Sequence, residues 1–229
     1  MRIVLFGAPG VGKGTFAEIL SKKENLKHIN VGNILRNEIK KESNIGKEIQ
    51  NVVRSGNLVS DSLIINIVHD EMKNILNKKY KGFILDGFPR NMYQSKELIK
   101  MTNIDLFVNI YLPRNILIKK LLGRRICNIC DKNFNVSNIQ QDSFDMPPIL
   151  PSKDCIQCNG HTNLIKRKDD NEDIINHRLN SYESDYIPII QFFKNEKYNL
   201  IDFPLRRGIR DFDDFYSILV NYIKNEKLK

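Results

Sequence analysis

The sequence lacks tryptophan, has only four cysteines and contains no long uninterrupted run of apolar residues. A membrane-spanning helix requires about 18 consecutive apolar residues, whereas Asp70 and Glu71 interrupt the apolar stretch at 63–75, so we expect no membrane partner. The 12 glycines and 8 prolines among 229 residues, with 41% hydrophobic and 28% charged residues, exclude collagenous, disordered and disulfide-dense chains. One core with inserted lobes fits this length.

The compartment and the partners follow from the start of the chain and from its charge. The residues before Gly7 include too few apolar positions for a secretion signal, and the cysteines form two CxxC pairs, which favours reduced thiols. We predict a cytoplasmic protein that acts as a monomer. The net charge of +9 favours polyanionic partners, namely nucleic acid, an acidic membrane surface or phosphorylated small molecules.

Apolar runs and helical patterns alternate along the chain. Short apolar runs at 2–6, 28–31, 82–85, 106–112 and 198–201 are separated by helical patterns such as 13–23, 60–76 and 170–193. This alternation predicts an α/β fold in which helices cover both faces of a parallel sheet. The interval 126–165 breaks the pattern and predicts an inserted, loop-rich lobe.

The segment 7–15, GAPGVGKGT, follows the first apolar run and opens a helix, which is the context of a phosphate-binding loop. Glycines let backbone N–H groups turn toward a polyphosphate, and Lys13 reaches its terminal phosphates. The usual pattern has a serine or threonine directly after the lysine. Here Gly14 stands at that place and the hydroxyl comes one residue later, at Thr15.

A carboxylate and a set of arginines complete a site for phosphoryl transfer. Asp86 ends the apolar run 82–85 at the same sheet edge as the phosphate-binding loop, where it can hold the waters of a magnesium ion. Phosphoryl transfer needs converging positive groups that position donor and acceptor and neutralise charge. The candidates beside glycines or element ends are Arg36, Arg90, Arg124, Arg167 and Arg178.

Six ordered motifs, at 7–15, 31–36, 56–61, 85–94, 123–125 and 167–179, resemble the adenylate kinase family of nucleoside monophosphate kinases, in the long form with a full lid. The resemblance implies a P-loop kinase with a five-stranded parallel sheet in a core domain at 1–29, 61–123 and 166–229. It also implies an AMP-binding lobe at 30–60 and a lid at 124–165. The implied reaction is reversible phosphoryl transfer from a magnesium nucleoside triphosphate to AMP.

The resemblance implies a role for each matching residue. The triphosphate ligands would be Gly10, Gly12, Lys13, Gly14, Thr15, Lys120 and Arg124. The AMP ligands would be Val31, Arg36, Val59, Gly87, Arg90, Gln94, Arg167 and Arg178. The catalytic set would be Lys13, Arg90, Arg124, Arg167 and Arg178, with Asp86 holding Mg²⁺ through water.

Several positions depart from the family pattern. Val31 and Asn33 replace a usual threonine and aspartate, so Asp86 would carry the metal alone. Lys120 stands where the family commonly has an arginine that stacks on the donor base. The late loop 202–208 lacks the usual Gly-x-Lys-Pro pattern. The donor therefore stays open between ATP and GTP.

The cysteines predict a metal site. Cys127, Cys130, Cys155 and Cys158 form two CxxC pairs separated by 24 residues, the arrangement in which four thiolates close a tetrahedral zinc site. With all four positions filled by cysteine, the Zn²⁺ would be structural. Such a staple suits a lobe of about 40 residues, which has little apolar area of its own.

Three functions from different classes fit these observations. The first is a nucleoside monophosphate kinase acting on AMP with ATP or GTP. The second is a P-loop kinase for another small acceptor, which would not need Arg36, Arg90 and Gln94 in this order. The third is a nucleic-acid binder with a zinc ribbon. The absence of tryptophan and of an aromatic–basic pattern in 126–165 speaks against it, so we expect no nucleic-acid partner.

Overall fold

Five short apolar strands form a parallel sheet, as the alternation of strands and helices predicts. The computed structural model describes residues 1–76, 80–153, 155, 157–160 and 163–227. The sheet consists of β1 (Arg2–Phe6), β2 (Lys27–Asn30), β3 (Phe83–Asp86), β4 (Leu106–Tyr111) and β10 (Leu200–Pro204). Its order is β10-β4-β1-β3-β2, and each neighbouring pair is parallel. The predicted α/β class and five-stranded parallel sheet are therefore confirmed.

Helices cover both faces of this sheet. The described residues form α1 (Lys13–Glu24), α2 (Val31–Lys40), α3 (Asn44–Arg54), α4 (Asp61–Leu76), α5 (Met92–Met101), α6 (Arg114–Leu122), α7 (Glu172–Asn195) and α8 (Phe212–Lys227). Successive residues of a strand point to opposite faces. Accordingly Ile3 and Leu5 belong to one buried cluster with α1, α6 and α8, whereas Val4 and Phe6 belong to another with α4, α5 and α7.

The last strand begins later than the apolar run predicted. Leu200 opens β10, two residues beyond the predicted start, and the strand continues to Pro204. Tyr198 instead belongs to the turn after α7, because its N–H donates to the carbonyl of Phe193 at 3.0 Å and the two rings meet edge to face. The predicted start of the strand was therefore wrong, because the apolar ring of Tyr198 belongs to the turn after α7 and not to the strand.

The predicted loop-rich insertion contains short antiparallel strands. They are β5 (Arg124–Cys127), β6 (Asn133–Asn135), β7 (Ile139–Gln141), β8 (Phe144–Met146) and β9 (Leu164–Ile165). A three-stranded sheet has the order β6-β5-β9, and β7 pairs with β8. Strands of two to four residues are too short to show a hydrophobic period in the sequence, so only the backbone pairing reveals them.

Two polar contacts join the segment that holds α2 and α3 to the rest of the molecule. The Lys40 Nζ lies 2.6 Å from a carboxylate oxygen of Asp131 in the insertion. His177 Nε2 of α7 lies 2.8 Å from Asn57 Oδ1. The division into a core, an AMP-binding lobe and a lid stays a prediction.

In the described ranges, no helix combines the length and the apolar character that a membrane span requires.

Candidate active site

A cavity of about 270 Å³ opens at the carboxyl edge of the parallel sheet. Ligands of open parallel sheets bind at this edge. Residues from the phosphate-binding loop, the end of β3, the insertion and α7 line the cavity together. The predicted site residues in its wall are Gly10, Gly12, Lys13, Gly14, Thr15, Arg36, Asp86, Gly87, Arg90, Lys120, Arg124, Arg167 and Arg178.

The phosphate-binding loop joins β1 to α1. A side chain at Gly7 would place its Cβ 2.1 Å from the carbonyl oxygen of Ile110 on the neighbouring strand, so only glycine fits. Helix α1 begins directly after Gly12, which offers no side-chain cap to the first N–H groups. The N–H of Thr15 donates to the Gly12 carbonyl at 3.1 Å, so among the described residues it is the N–H groups of Lys13 and Gly14 that are available to an anion. A Cβ at Gly14 would lie 3.2 Å from Asp86 Oδ2, a tight approach that a side chain could make only if Asp86 shifted.

Lys13 directs its ammonium back over the loop. Its Nζ donates to the carbonyl oxygens of Gly7 at 2.6 Å and Ala8 at 2.9 Å. Burial lowers the pKa of Lys13 to about 8, although the charge of Asp86 opposes this shift. At neutral pH the side chain is mostly protonated. Its two hydrogen bonds go to neutral carbonyl oxygens, so its positive charge is available to a phosphate.

The arginines converge on the same cavity, and two of them form ion pairs with carboxylates of the described residues. Arg124 forms a two-pronged ion pair with Asp170, which is fully buried, and Arg178 Nη1 lies 2.7 Å from Asp169 Oδ2. In the described part of the chain, the others meet neutral acceptors. Arg36 binds the side chain of Asn33, Arg90 Nε donates to the Gly87 carbonyl at 2.9 Å, and Arg167 binds the side chain of Asn133.

These cations repel one another. Burial followed by the charge of Arg124 lowers the pKa of Arg36, Arg167 and Arg178, and burial followed by the charge of Arg178 lowers that of Arg90. The Nε of Arg167 is buried and has no hydrogen-bond partner among the residues that the structure describes. A bound polyanion would relieve the repulsion and satisfy that donor. The cavity is therefore built for a highly phosphorylated ligand.

Asp86 and Asp185 both contribute carboxylates to the cavity wall, and Asp86 lies beside the phosphate-binding loop. Burial favours its neutral form, but the hydrogen bond from His28 and the charge of Lys13 outweigh this effect and hold the pKa of Asp86 below its usual value. Asn30 Nδ2 and His28 Nε2 both contact Oδ2. Among the described residues no hydrogen bond reaches Oδ1. One carboxylate oxygen is thus held and the other is open to a metal-bound water.

A second, smaller cavity adjoins the first. Val31, Val59 and Gln94 line it, together with Gly87 and Arg90, which border both cavities. Gln94 is almost fully buried. Its Oε1 accepts from the backbone N–H of Arg90 at 2.7 Å, and its Nε2 donates to Asp61 at 2.7 Å. The predicted acceptor-base residues are thus grouped beside the arginines, in a largely apolar pocket.

Sequence reasoning missed the carboxylates that orient the arginines. Asp169 and Asp170 stand inside the motif at 167–179 but were given no role. Their contacts with Arg178 and Arg124 fix both guanidiniums at the cavity wall. The sequence signal for this role is the pair of adjacent acidic residues between the predicted ligands Arg167 and Arg178. Asn30 and His28 were also missed, because only the sheet register brings them to Asp86.

Comparison with known proteins places this geometry in a family. The family model for adenylate kinase matches residues 5–198. The chain belongs to the adenylate kinase family. It is a nucleoside monophosphate kinase, and its reaction moves a phosphoryl group from a nucleoside triphosphate to AMP. Of the three predicted functions, the first is confirmed.

Individual relatives within the adenylate kinase family support this assignment over most of the chain. The GTP:AMP phosphotransferase of Plasmodium falciparum (isolate 3D7) is 99% identical over the full length of both chains. The adenylate kinase of Borrelia turicatae (strain 91E135) is 41% identical, covering 97% of this chain and 99% of that protein. An adenylate kinase of Solanum tuberosum is 38% identical, covering 90% of this chain and 72% of that protein.

This member of the adenylate kinase family has a thiol cluster in its insertion. The sulfurs of Cys127, Cys130 and Cys158 lie within 4.8 Å of one another. These are three of the four predicted ligands, and the fourth, Cys155, interacts with Cys158 and Cys130. Backbone N–H groups of Ile129 and Cys130 both donate to the Cys127 sulfur at 3.4 Å.

The two cysteine pairs have matching turns. The N–H of Asp131 donates to the carbonyl of Cys127, and that of Asn159 donates to the carbonyl of Cys155. Asp131 and Asn159 both have a left-handed backbone, with φ of 56° and 47°. Two equivalent turns that direct thiols inward suit a metal ion, and soft thiolates favour zinc among the common candidates.

Proposed function

We propose that this kinase is a GTP:AMP phosphotransferase, which transfers the terminal phosphoryl group of GTP to AMP and produces GDP and ADP. The observation that carries the proposal is the 99% identity, over the full length of both chains, to a protein of that name. The donor side of the cavity supports it independently. Here the chain departs from the family pattern at Lys120 and in the loop 202–208.

Lys120 is a buried cation that favours a carbonyl partner. Its Nζ lies 3.3 Å from the Val11 carbonyl and 3.9 Å from the Met146 sulfur. Burial lowers its pKa to about 8, against the opposing charge of Asp211, whose carboxylate already binds Arg207. Guanine offers two acceptors side by side, O6 and N7, where adenine pairs N7 with an amino donor. A lysine ammonium at this wall therefore fits guanine better than adenine.

The proposal is tested by comparing GTP and ATP as donors for AMP phosphorylation. We expect kcat/KM for GTP to exceed that for ATP by about 10- to 100-fold, the range of one good base contact. Lys120→Met, which keeps the volume and removes the charge, should reduce this ratio. Lys119→Met, the exposed neighbour, is the control and should leave it unchanged. A wild-type enzyme that uses ATP at least as well as GTP would overturn the proposal.

The remaining cavity residues take their roles from their positions. Lys13, with Gly10, Gly12, Gly14 and Thr15 of the phosphate-binding loop, holds the donor phosphates. Arg36 and Arg90 hold the AMP phosphate, and Val31, Val59, Gly87 and Gln94 surround its base. Arg124, Arg167 and Arg178 neutralise the charge that spreads over the moving group. The insertion covers the site and excludes water, so transfer prevails over hydrolysis.

Magnesium enters this reaction with the nucleotide. The buried carboxylate of Asp86, with Oδ2 held by Asn30 and His28 and Oδ1 free of hydrogen bonds from described residues, fits a water-mediated contact to Mg²⁺. The ion would neutralise part of the phosphate charge when bound. No protein group is needed as a general base, because the AMP phosphate oxygen is already an anion.

The four cysteines hold a structural Zn²⁺ in the insertion. Cys127, Cys130, Cys155 and Cys158 would fill all four positions and leave none for substrate. The surrounding strands are only two to four residues long, so the metal supplies order that a small apolar core cannot. A cytoplasmic location and a monomeric state stay predictions.

Zinc removal is expected to lower phosphoryl transfer by about 10-fold or more while the parallel sheet stays folded, because metal binding orders only the insertion. Metal analysis of protein purified without chelator should give one zinc per chain. Activity and thermal unfolding are then followed through chelation and zinc return, with Cys130→Ser as a variant that zinc does not rescue. Absence of zinc from the purified protein, or full activity after its removal, would contradict the assignment.

A further inference from the structure

Asn30 uses both ends of its side-chain amide at the centre of the site. Its Nδ2 donates to Asp86 Oδ2, and its Oδ1 accepts from the backbone N–H of Asn33 at 2.7 Å. The orientation of the amide follows from its partners, because a carboxylate can only accept and a backbone N–H can only donate. One side chain therefore links the carboxylate of the cavity to the first turn of α2.

The sheet places Asn30 beside Asp86. The two residues are direct partners in the parallel pairing of β2 with β3, each as the last residue of its strand. Gly14 faces them from the phosphate-binding loop, where an added Cβ would lie 3.2 Å from Asp86 Oδ2 and 3.6 Å from Asn30 Nδ2. The contact thus lies directly under the donor-phosphate loop.

The amide oxygen of Asn30 faces helix α2, which holds the proposed AMP-binding residue Arg36. Asn30 is the N-cap residue of α2 and accepts the N–H of Asn33 there. The side chain of Asn33 in turn accepts a hydrogen bond from the guanidinium of Arg36. A continuous series of polar contacts therefore runs from Asp86 through Asn30 and Asn33 to Arg36.

We propose that Asn30 is a positioning residue that fixes Asp86 relative to helix α2, so that the metal-holding carboxylate and the AMP-binding arginine keep one geometry during transfer. This inference rests on the proposed roles of Asp86 and Arg36. Asparagine suits the task because it combines a donor and an acceptor. Aspartate would keep the cap but set a second carboxylate against Asp86. Serine would keep the cap but is too short to hold Asp86 as the amide does.

The test distinguishes the contact of the amide nitrogen with Asp86 from the N-cap contact of the amide oxygen. Asn30→Ser retains a good N-cap and loses the contact with Asp86. We expect kcat to fall by about 10- to 100-fold, as for other residues that orient a metal-binding group, and the Mg²⁺ concentration for half-maximal rate to rise. KM for AMP should change little. Asn30→Ala loses both contacts, so KM for AMP should also rise.

Controls distinguish this role from a general loss of structure. Asn37→Ser makes the same substitution at an exposed position of α2 and should leave all three parameters unchanged, and thermal unfolding is measured for every variant. Wild-type kcat and magnesium dependence in Asn30→Ser would overturn the inference. So would equal effects of Asn30→Ser and Asn30→Ala on KM for AMP. Variants are compared with wild type using whichever donor is faster, so the outcome does not depend on GTP preference.

Discussion

Replacement of Lys13 by alanine is expected to reduce kcat by about 10²- to 10⁴-fold, the loss seen when a charge aligned with developing negative charge is removed. The Lys13 ammonium is held by two loop carbonyls, 2.6 and 2.9 Å away, so it is already oriented before the nucleotide binds. With a pKa of about 8 it is mostly charged at neutral pH. Alanine would remove this charge and leave the donor phosphates to the loop amides and the arginines of the cavity.

Steady-state rates with saturating AMP and magnesium donor measure this effect. Lys22→Ala is the matched control, because Lys22 lies on the same helix, is exposed and forms a surface ion pair with Glu18. Lys13→Arg retains the charge but cannot reproduce the compact ammonium, so we expect intermediate activity. Wild-type turnover in Lys13→Ala would remove the residue from the site.

Replacement of Arg90 by alanine is expected to lower kcat/KM for AMP by about 10²- to 10⁴-fold while donor binding is preserved. Arg90 borders both cavities. Its Nε is anchored on the Gly87 carbonyl and its backbone N–H on Gln94. In the described residues it has no ion-pair partner, so its charge is available to the acceptor phosphate.

Rates at varied AMP concentration, combined with equilibrium binding of a fluorescent GTP analogue, separate acceptor from donor effects. Arg54→Ala removes an exposed arginine from α3 and should change neither quantity. Arg90→Lys should recover little, because an ammonium lacks the planar fork that matches phosphate oxygens. A loss of donor binding equal to the loss in kcat/KM for AMP would contradict the acceptor role and place Arg90 on the donor side.

The sequence was most informative where a pattern is local. The glycine-rich loop between an apolar run and a helical pattern predicted β1, the loop and α1, because each depends on neighbouring residues only. Ordered motifs then predicted the family, which the family model confirms. The short strands of the insertion could not be predicted, because two to four residues show no hydrophobic period. The start of β10 could not be predicted either, since its pairing with β4 involves residues distant in the chain.

The sequence by itself determined the fold class, the family and the residue types that phosphoryl transfer requires. Only the tertiary structure decided which of these charges are paired. Arg124 and Arg178 meet Asp170 and Asp169, whereas the Lys13 ammonium donates to the carbonyls of Gly7 and Ala8. The register of β2 against β3 likewise decided that Asn30 meets Asp86 across 56 residues of sequence. Such contacts depend on where whole strands pair, and no local pattern of side chains specifies that.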